Sequence, residues 1–140
     1  SELLPRLDLP LSHGEEAFVV IAATVSDYDA DYALARLDFA GQSLWAPAPA
    51  RPVGSAARVR IQARDVSLAL VPQTQASILN CVSAVVVDLA PTATPGHVLV
   101  RLDAAGAPLL ARITQRSASR LDIRPGLALR AQIKSVALLG

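Results

Sequence analysis

Short apolar runs recur along this chain and are separated by glycine, proline and acidic residues. Residues 17–28 (AFVVIAATVSDY) form a near-continuous apolar run rich in β-branched side chains, which predicts a buried strand. Residues 57–70 (ARVRIQARDVSLAL) alternate between apolar and polar side chains, which predicts a strand with one solvated face. Between them, 32–39 and 43–46 predict two shorter strands on either side of a tight turn at Gly41.

The second half of the chain repeats this plan. Residues 32–38 (YALARLD) align with 97–103 (HVLVRLD) at an offset of 65, and Gly41 aligns with Gly106 at the same offset. A duplicated supersecondary unit is expected to keep its turn glycines and its alternating strand positions. The strands predicted in this half lie at 79–89, 97–103 and 109–114.

The closing stretch, 114–139, differs from its counterpart in the first copy. Ser117 is a candidate N-cap for one helical turn, and Pro125-Gly126 predicts a tight turn before a last alternating strand. One face of that strand is predicted to carry Leu127, Leu129, Ala131, Ile133 and Ser135, and the other face Arg130, Gln132 and Lys134. The pair Lys134-Ser135 is therefore expected late in a strand.

Each copy offers four to five short strands, and the second copy adds a helical turn before its last strand. Short sheets leave unpaired edges unless they close, so we predict an all-β fold of two tandem OB-like small barrels. An open sandwich is the structural alternative. The predicted organisation is an N-terminal linker at 1–16, a first unit at 17–70, a connector at 71–76 and a second unit at 77–140.

Composition and charge limit the partners of the chain. Apolar residues make up 52% of the 140 residues, so a packed core is expected, but no apolar run approaches the about 20 residues that cross a bilayer. The first 70 residues carry a net charge of −3 and the last 70 a net charge of +4. All aromatic side chains lie in the acidic half, whereas binding of single-stranded nucleic acid needs aromatics in a basic groove. We therefore expect no nucleic-acid partner.

Cys81 is the only cysteine, so no intramolecular disulfide is available, and a lone thiol fits a reducing cytoplasm. We expect Cys81 to be buried and inert, because no histidine lies near it in sequence. The chain begins with Ser1 and contains no methionine, from which we expect a piece of a longer protein.

The sequence contains no motif for catalysis, nucleotide binding or metal binding. It lacks the G-x-x-x-x-G-K-[ST] loop and the G-x-G-x-x-G turn that hold nucleotide phosphates. His13 and His97 have no metal-ligand spacing to a cysteine or carboxylate, and the acidic loop at 27–31 lacks the glycine and distal glutamate of a calcium loop. We therefore expect that this chain is not an enzyme, holds no metal and binds no nucleotide.

A site for a small oxyanion is the remaining chemical hypothesis. Such a site needs hydroxyl and N–H donors that converge with one or two cations. The candidate residues are Ser77, Asn80, Thr114, Ser117, Lys134 and Ser135. Structural roles also fit three of them: a turn at Ser77, a helix cap at Ser117 and a solvated strand position at Lys134.

Three segments of the second half form a distinctive set: 77–80 (SILN), 110–114 (LARIT) and 121–136 (LDIRPGLALRAQIKSV). Together they resemble the molbindin domain family, also called Mop or TOBE-type. At the level of the whole chain, 17–139 resembles the C-terminal accessory region of molybdate ABC transporter ATP-binding subunits, most closely at 60–68 (RIQARDVSL) and within the third segment.

The resemblance implies tandem OB-like barrels, a homodimer, and molybdate or tungstate bound at the interface between subunits. By matching position, Ser77, Thr114, Lys134 and Ser135 correspond to oxyanion-contacting residues of the family. The resemblance also implies an ATP-binding domain in the same polypeptide, the transporter membrane subunit as an indirect partner, and a cytoplasmic location at the inner membrane. Leu79 replaces the arginine of the family motif S-x-R-N, which removes a charge-assisted donor.

Three functions are compatible with this resemblance. The chain is a regulatory and dimerisation domain of a molybdate-importing transport ATPase, a free-standing molybdate-storage protein, or a ligand-free dimerisation module. Storage by two molbindin units predicts equivalent motifs in both copies, but the first copy has no S-x-x-N opening and carries Arg64-Asp65 where the second carries Lys134-Ser135. We therefore prefer the first function.

Overall fold

The computed structural model describes residues 17–72 and 77–139, so the predicted linker at 1–16 and connector residues 73–76 lie outside the described residues. The strands are β1 (Phe18–Asp29), β2 (Leu34–Phe39), β3 (Gln42–Pro47), β4 (Ala56–Gln62), β5 (Val66–Ala69), β6 (Asn80–Pro91), β7 (His97–Ala104), β8 (Ala107–Thr114), β9 (Ala128–Ile133) and β10 (Ala137–Leu139). A short helix, α1, spans Gln115–Arg120, and a 3-10 turn spans Ala63–Asp65.

The strands form two antiparallel five-stranded sheets, and each sheet takes its edge strand from the other half of the sequence. The strand order is β10-β4-β1-β2-β3 in the first sheet and β5-β9-β6-β7-β8 in the second. Val66 of β5 lies opposite Ile133, and Ala137 of β10 lies opposite Arg60. In the second sheet β5 also lies against β8, which closes the strands into a small barrel. The predicted all-β fold of two OB-like barrels, with a helical turn in the second, is confirmed.

The last predicted strand of each unit ends earlier than the sequence predicts. The alternating run 57–70 was expected to be one strand, but the 3-10 turn divides it into β4 and β5, which lie in different sheets. The turn forms because Ala63 is fully buried against Leu99 and Leu110 while the chain crosses between sheets. Likewise β9 ends at Ile133, so Lys134 and Ser135 lie after the strand and are exposed. The prediction that this pair lies late in the strand is wrong.

The internal repeat is visible in the strand registers. A β-bulge lies between Val25 and Asp27 of β1, opposite β2. A second bulge lies between Val86 and Asp88 of β6, opposite β7. The residues opposite the bulges, Arg36 and Arg101, are 65 positions apart, which is the offset predicted from the sequence. Bulges increase local twist and coiling, so both copies bend their first strand at the same point.

One continuous apolar core joins the two sheets. Its fully buried side chains come from both halves of the chain and include Leu37, Leu44, Ile61, Leu102, Leu109 and Ile133. Because neither sheet has a separate core, the two repeats pack as one body. Within the described residues, no helix is long and apolar enough to cross a membrane.

Two local predictions are corrected by the structure. The N-cap of α1 is Thr114, whose Oγ1 accepts the backbone N–H of Ser117 at 3.0 Å, so Ser117 lies inside the helix rather than at its cap. The cap precedes the predicted position because β8 runs directly into the helix. Cys81, which was expected to be buried, is half-buried at the second position of β6 and carries a free thiol.

Candidate oxyanion site

Asn80, the first residue of β6, is held by the backbone of the first sheet. Its side-chain Nδ2 donates to the carbonyl oxygen of Trp45 at 2.9 Å, and its Oδ1 accepts the backbone N–H of Trp45 at 2.7 Å. Only 5% of Asn80 is exposed, so both hydrogen bonds are shielded from water. The carboxamide therefore replaces a peptide group between β6 and β3, and its contribution to oxyanion binding stays a prediction.

A second amide joins the same two strands. Gln42, the first residue of β3, donates from Nε2 to the carbonyl oxygen of Ser83 at 3.1 Å and accepts the Ser83 backbone N–H on Oε1 at 2.8 Å. The two pairs, Asn80 with Trp45 and Gln42 with Ser83, have the antiparallel spacing of a ladder. An open cleft of about 590 Å³ adjoins this junction and is lined in part by Gln42, Ser83 and Arg130.

Sequence reasoning identified Asn80 but missed Gln42 and Trp45. The weak signal in the sequence is an amide residue at the start of a predicted strand. That signal does not name a partner, because the contacts join residues 35 and 41 positions apart in the chain.

Three other predicted residues adjoin the start of β6. Ser77 and the nearby Leu79 are exposed just before the strand. Asn80 lies opposite Ile133, the last residue of β9, in the β6–β9 ladder. The exposed pair Lys134-Ser135 comes directly after that strand end. This end of the ladder thus presents two hydroxyl groups and one ammonium group to solvent.

The surroundings of Lys134 leave its ammonium group available. The backbone N–H of Lys134 donates to the carbonyl oxygen of Asp65 at 2.8 Å, which fixes the main chain. In the part of the chain that the structure describes, the Lys134 ammonium group forms no ion pair. A cation without a carboxylate partner attracts anions.

Thr114 and Ser117 form a second group, at the beginning of α1. Thr114 lies opposite His97 in the β7–β8 ladder, which adjoins the end of β6 rather than its start. The Thr114 hydroxyl donates to Ser117 Oγ at 3.0 Å while it accepts the Ser117 N–H. Ser77, Asn80, Lys134 and Ser135 therefore lie at or next to the start of β6, and Thr114 and Ser117 lie where β8 runs into α1.

Metal binding has no support in the described residues. Among residues 17–72 and 77–139, no group of three or more histidine, cysteine, aspartate or glutamate side chains is placed to hold a metal ion. The donors near the start of β6 are hydroxyl and ammonium groups, which are suited to an anion rather than a cation.

Comparison with known proteins shows what this chain is similar to. Residues 76–139 match the TOBE domain family, and the match falls almost entirely on the second unit. Over 99% of its length, the chain is 55% identical to the molybdenum import ATP-binding protein ModC of Aromatoleum aromaticum and 52% identical to ModC of Pseudomonas aeruginosa. The resemblance of both units to molybdate transporter ATP-binding subunits is thus confirmed.

The chain spans less than two fifths of these relatives, 36% of the first protein and 39% of the second. A solved structure supports the fold of the two units together. It is the cytoplasmic molybdate-binding protein ModG in its PEG-grown form with molybdate bound, with a TM-score of 0.73 and 20% sequence identity. The similarity covers 93% of this chain and 98% of that chain, so the tandem arrangement is shared.

Proposed function

We propose that this chain is the regulatory and dimerisation region of a molybdate-importing ABC transporter ATPase and that it binds molybdate or tungstate at an interface between subunits. The single observation that carries the proposal is the 55% identity to a ModC protein across 99% of the chain. The donor chemistry at the start of β6 agrees with an oxyanion ligand, since two hydroxyls and an unpaired ammonium group are exposed there.

Two groups of candidate residues are available to an inter-subunit site. Ser77, Lys134 and Ser135 lie near the start of β6, whereas Thr114 and Ser117 lie where β8 runs into α1. The family resemblance implies a site between subunits. We propose that the first group of one copy faces the second group of the other, so that an anion at the interface contacts both.

The proposed partners follow from the relatives. The remaining length of a ModC protein contains room for an ATP-binding domain in the same polypeptide, which would contact the transporter membrane subunit. This chain would then lie on the cytoplasmic side of the inner membrane, as a ligand sensor without catalytic activity of its own. Nucleotide would bind outside this chain.

Two alternatives have specific observations behind them. Leu79 at the family arginine position favours a dimerisation module without ligand, since a guanidinium donor is lost. The fold shared with ModG favours a free-standing storage protein. Storage is the weaker of the two, because Arg64-Asp65 in the first copy replaces Lys134-Ser135 of the second.

Titration calorimetry of the chain with sodium molybdate tests the proposal. We expect saturable heat with molybdate, weaker binding with sulfate, and an affinity reduced about tenfold or more by Lys134→Ala, because a charge-assisted hydrogen bond contributes about 1.5–3 kcal/mol. Arg58→Ala is the matched control, since it also removes one exposed positive charge but lies in β4. No heat with molybdate, together with a dimer in sedimentation, would instead support the ligand-free module.

A further inference from the structure

The junction between β3 and β6 is built differently from the equivalent junction on the other side of the molecule. Residues 80–84 of β6 pair with β9 on one side, while pairing with β7 begins only at Val85. The open side of this segment faces the free edge of β3, and the Asn80 and Gln42 side chains supply its hydrogen bonds.

The repeat relation gives the matching positions in the other copy. The registers relate β1 to β6 at an offset of 61 and β3 to β8 at an offset of 65. Val19 therefore matches Asn80, and Ala107 matches Gln42. In that junction Val19 packs on the apolar cluster that contains Leu110, the match of Trp45. The equivalent junction is thus joined by apolar contact at the positions that match Asn80 and Trp45.

The polar junction lies beside the proposed oxyanion residues. Asn80 is three positions after Ser77, and its ladder partner Ile133 immediately precedes Lys134. If a bound anion displaces Ser77 or Lys134, the Asn80 carboxamide is displaced with it. Because its bonds to Trp45 are short, directional and buried, Trp45 must move with it or the bonds must break without replacement by water.

We propose that Asn80 is a positioning residue that couples oxyanion binding in the second unit to the first unit through the backbone of Trp45, with Gln42 as a second link. This inference rests on the proposed function. It also assigns a role to the first unit, which carries no oxyanion motif of its own. The first unit responds, through the junction, to oxyanion binding in the second unit.

Trp45 provides the readout, since it is the only tryptophan and is half-buried at the junction. Sodium molybdate is added to the chain while tryptophan emission is recorded, and calorimetry gives the affinity independently. We expect a saturable change in Trp45 emission with the same midpoint as the calorimetric titration. Molybdate heat without any change in Trp45 emission overturns the coupling and leaves the proposed function standing. The absence of molybdate heat overturns both.

Variants of Asn80 separate coupling from a merely structural role. Asn80→Ala removes both bonds to Trp45, and Asn80→Asp keeps the shape and the acceptor but loses the donor. We expect both variants to weaken molybdate binding about 2- to 30-fold and to reduce the emission change, with the larger effect for alanine.

The far-ultraviolet circular dichroism of each variant reports whether the sheets are retained, and Asn80→Asp serves if Asn80→Ala does not fold. Gln62→Ala is the control, because it removes an amide from β4, away from the junction. An emission change and affinity in Asn80→Asp equal to those of the unmodified chain overturn the proposal.

Discussion

The backbone N–H of Lys134 donates a hydrogen bond of 2.8 Å to the carbonyl oxygen of Asp65. Asp65 ends the turn through which the chain passes from β4 in the first sheet to β5 in the second. Lys134 begins the connection through which the chain returns from β9 to β10. The two crossings are therefore in contact, and the main chain that carries the Lys134 ammonium group is fixed where the repeats exchange strands.

Deletion of residues 137–140 tests the strand exchange. The truncated chain lacks β10, whose Ala137 and Leu139 lie opposite Arg60 and Arg58 of β4. We expect the free energy of unfolding to fall by about 1–3 kcal/mol and the amides of β4 to exchange hydrogen faster. Hydrogen exchange by mass spectrometry measures the effect, with β9 as internal reference. Faster exchange confined to β9 would contradict the sheet order.

Leu79→Arg restores the guanidinium of the family motif at an exposed position. Because 58% of Leu79 is accessible, we expect no loss of stability. One charge-assisted hydrogen bond to molybdate contributes about 1.5–3 kcal/mol, so we expect the affinity to rise at least about tenfold. Calorimetry measures the gain. Leu79→Gln is the uncharged control, and an equal gain in both variants would argue against a role for charge.

Thr114 is expected to stabilise α1 as its N-cap. Thr114→Ala removes the acceptor for the Ser117 N–H and is expected to cost about 1 kcal/mol of unfolding free energy. Thr114→Ser keeps the hydroxyl and is expected to be nearly neutral. Urea denaturation measures both. Ser117→Ala retains the capping acceptor, so a cost equal to that of Thr114→Ala would show that the cap is assigned to the wrong residue.

Asp38 is expected to make stability depend on acid pH. The Ser43 hydroxyl, at 2.8 Å, and the Ser26 hydroxyl, at 3.0 Å, hold the pKa of the Asp38 carboxyl below its usual range, with a smaller contribution from Arg36. Since the pKa is lowered in the folded state, the stabilisation is present above the unfolded pKa of about 3.9 and is lost as pH falls through the folded value.

Ser43→Ala removes the larger cause, so we expect the Asp38 pKa to rise and the variant to lose stability near neutral pH but not in strong acid. Thermal unfolding as a function of pH, together with a carboxyl titration by NMR, measures both effects. The same loss of stability at every pH would show that packing rather than the charge of Asp38 is responsible.

The sequence by itself determined the local elements and the repeat. Alternation placed β2, β7 and β8 within a few residues of their observed bounds. Gly41 and Gly106 correctly marked the turns between β2 and β3 and between β7 and β8. These features follow from the neighbours of each residue along the chain, since strand periodicity and turn conformations are local properties. The family motifs were also readable, because they are contiguous.

Only the tertiary structure decided which strands meet. A run such as 57–70 has the same alternation whether it stays in one sheet or crosses to another, so the division into β4 and β5 was not predictable. The two-point contacts of Asn80 and Gln42 likewise depend on strands brought together across the molecule. The alternating pattern is a property of the side chains along the sequence. The unpaired backbone edges of β3 and β6 determine where the Asn80 and Gln42 amides bind, and these edges exist only after the sheets have formed.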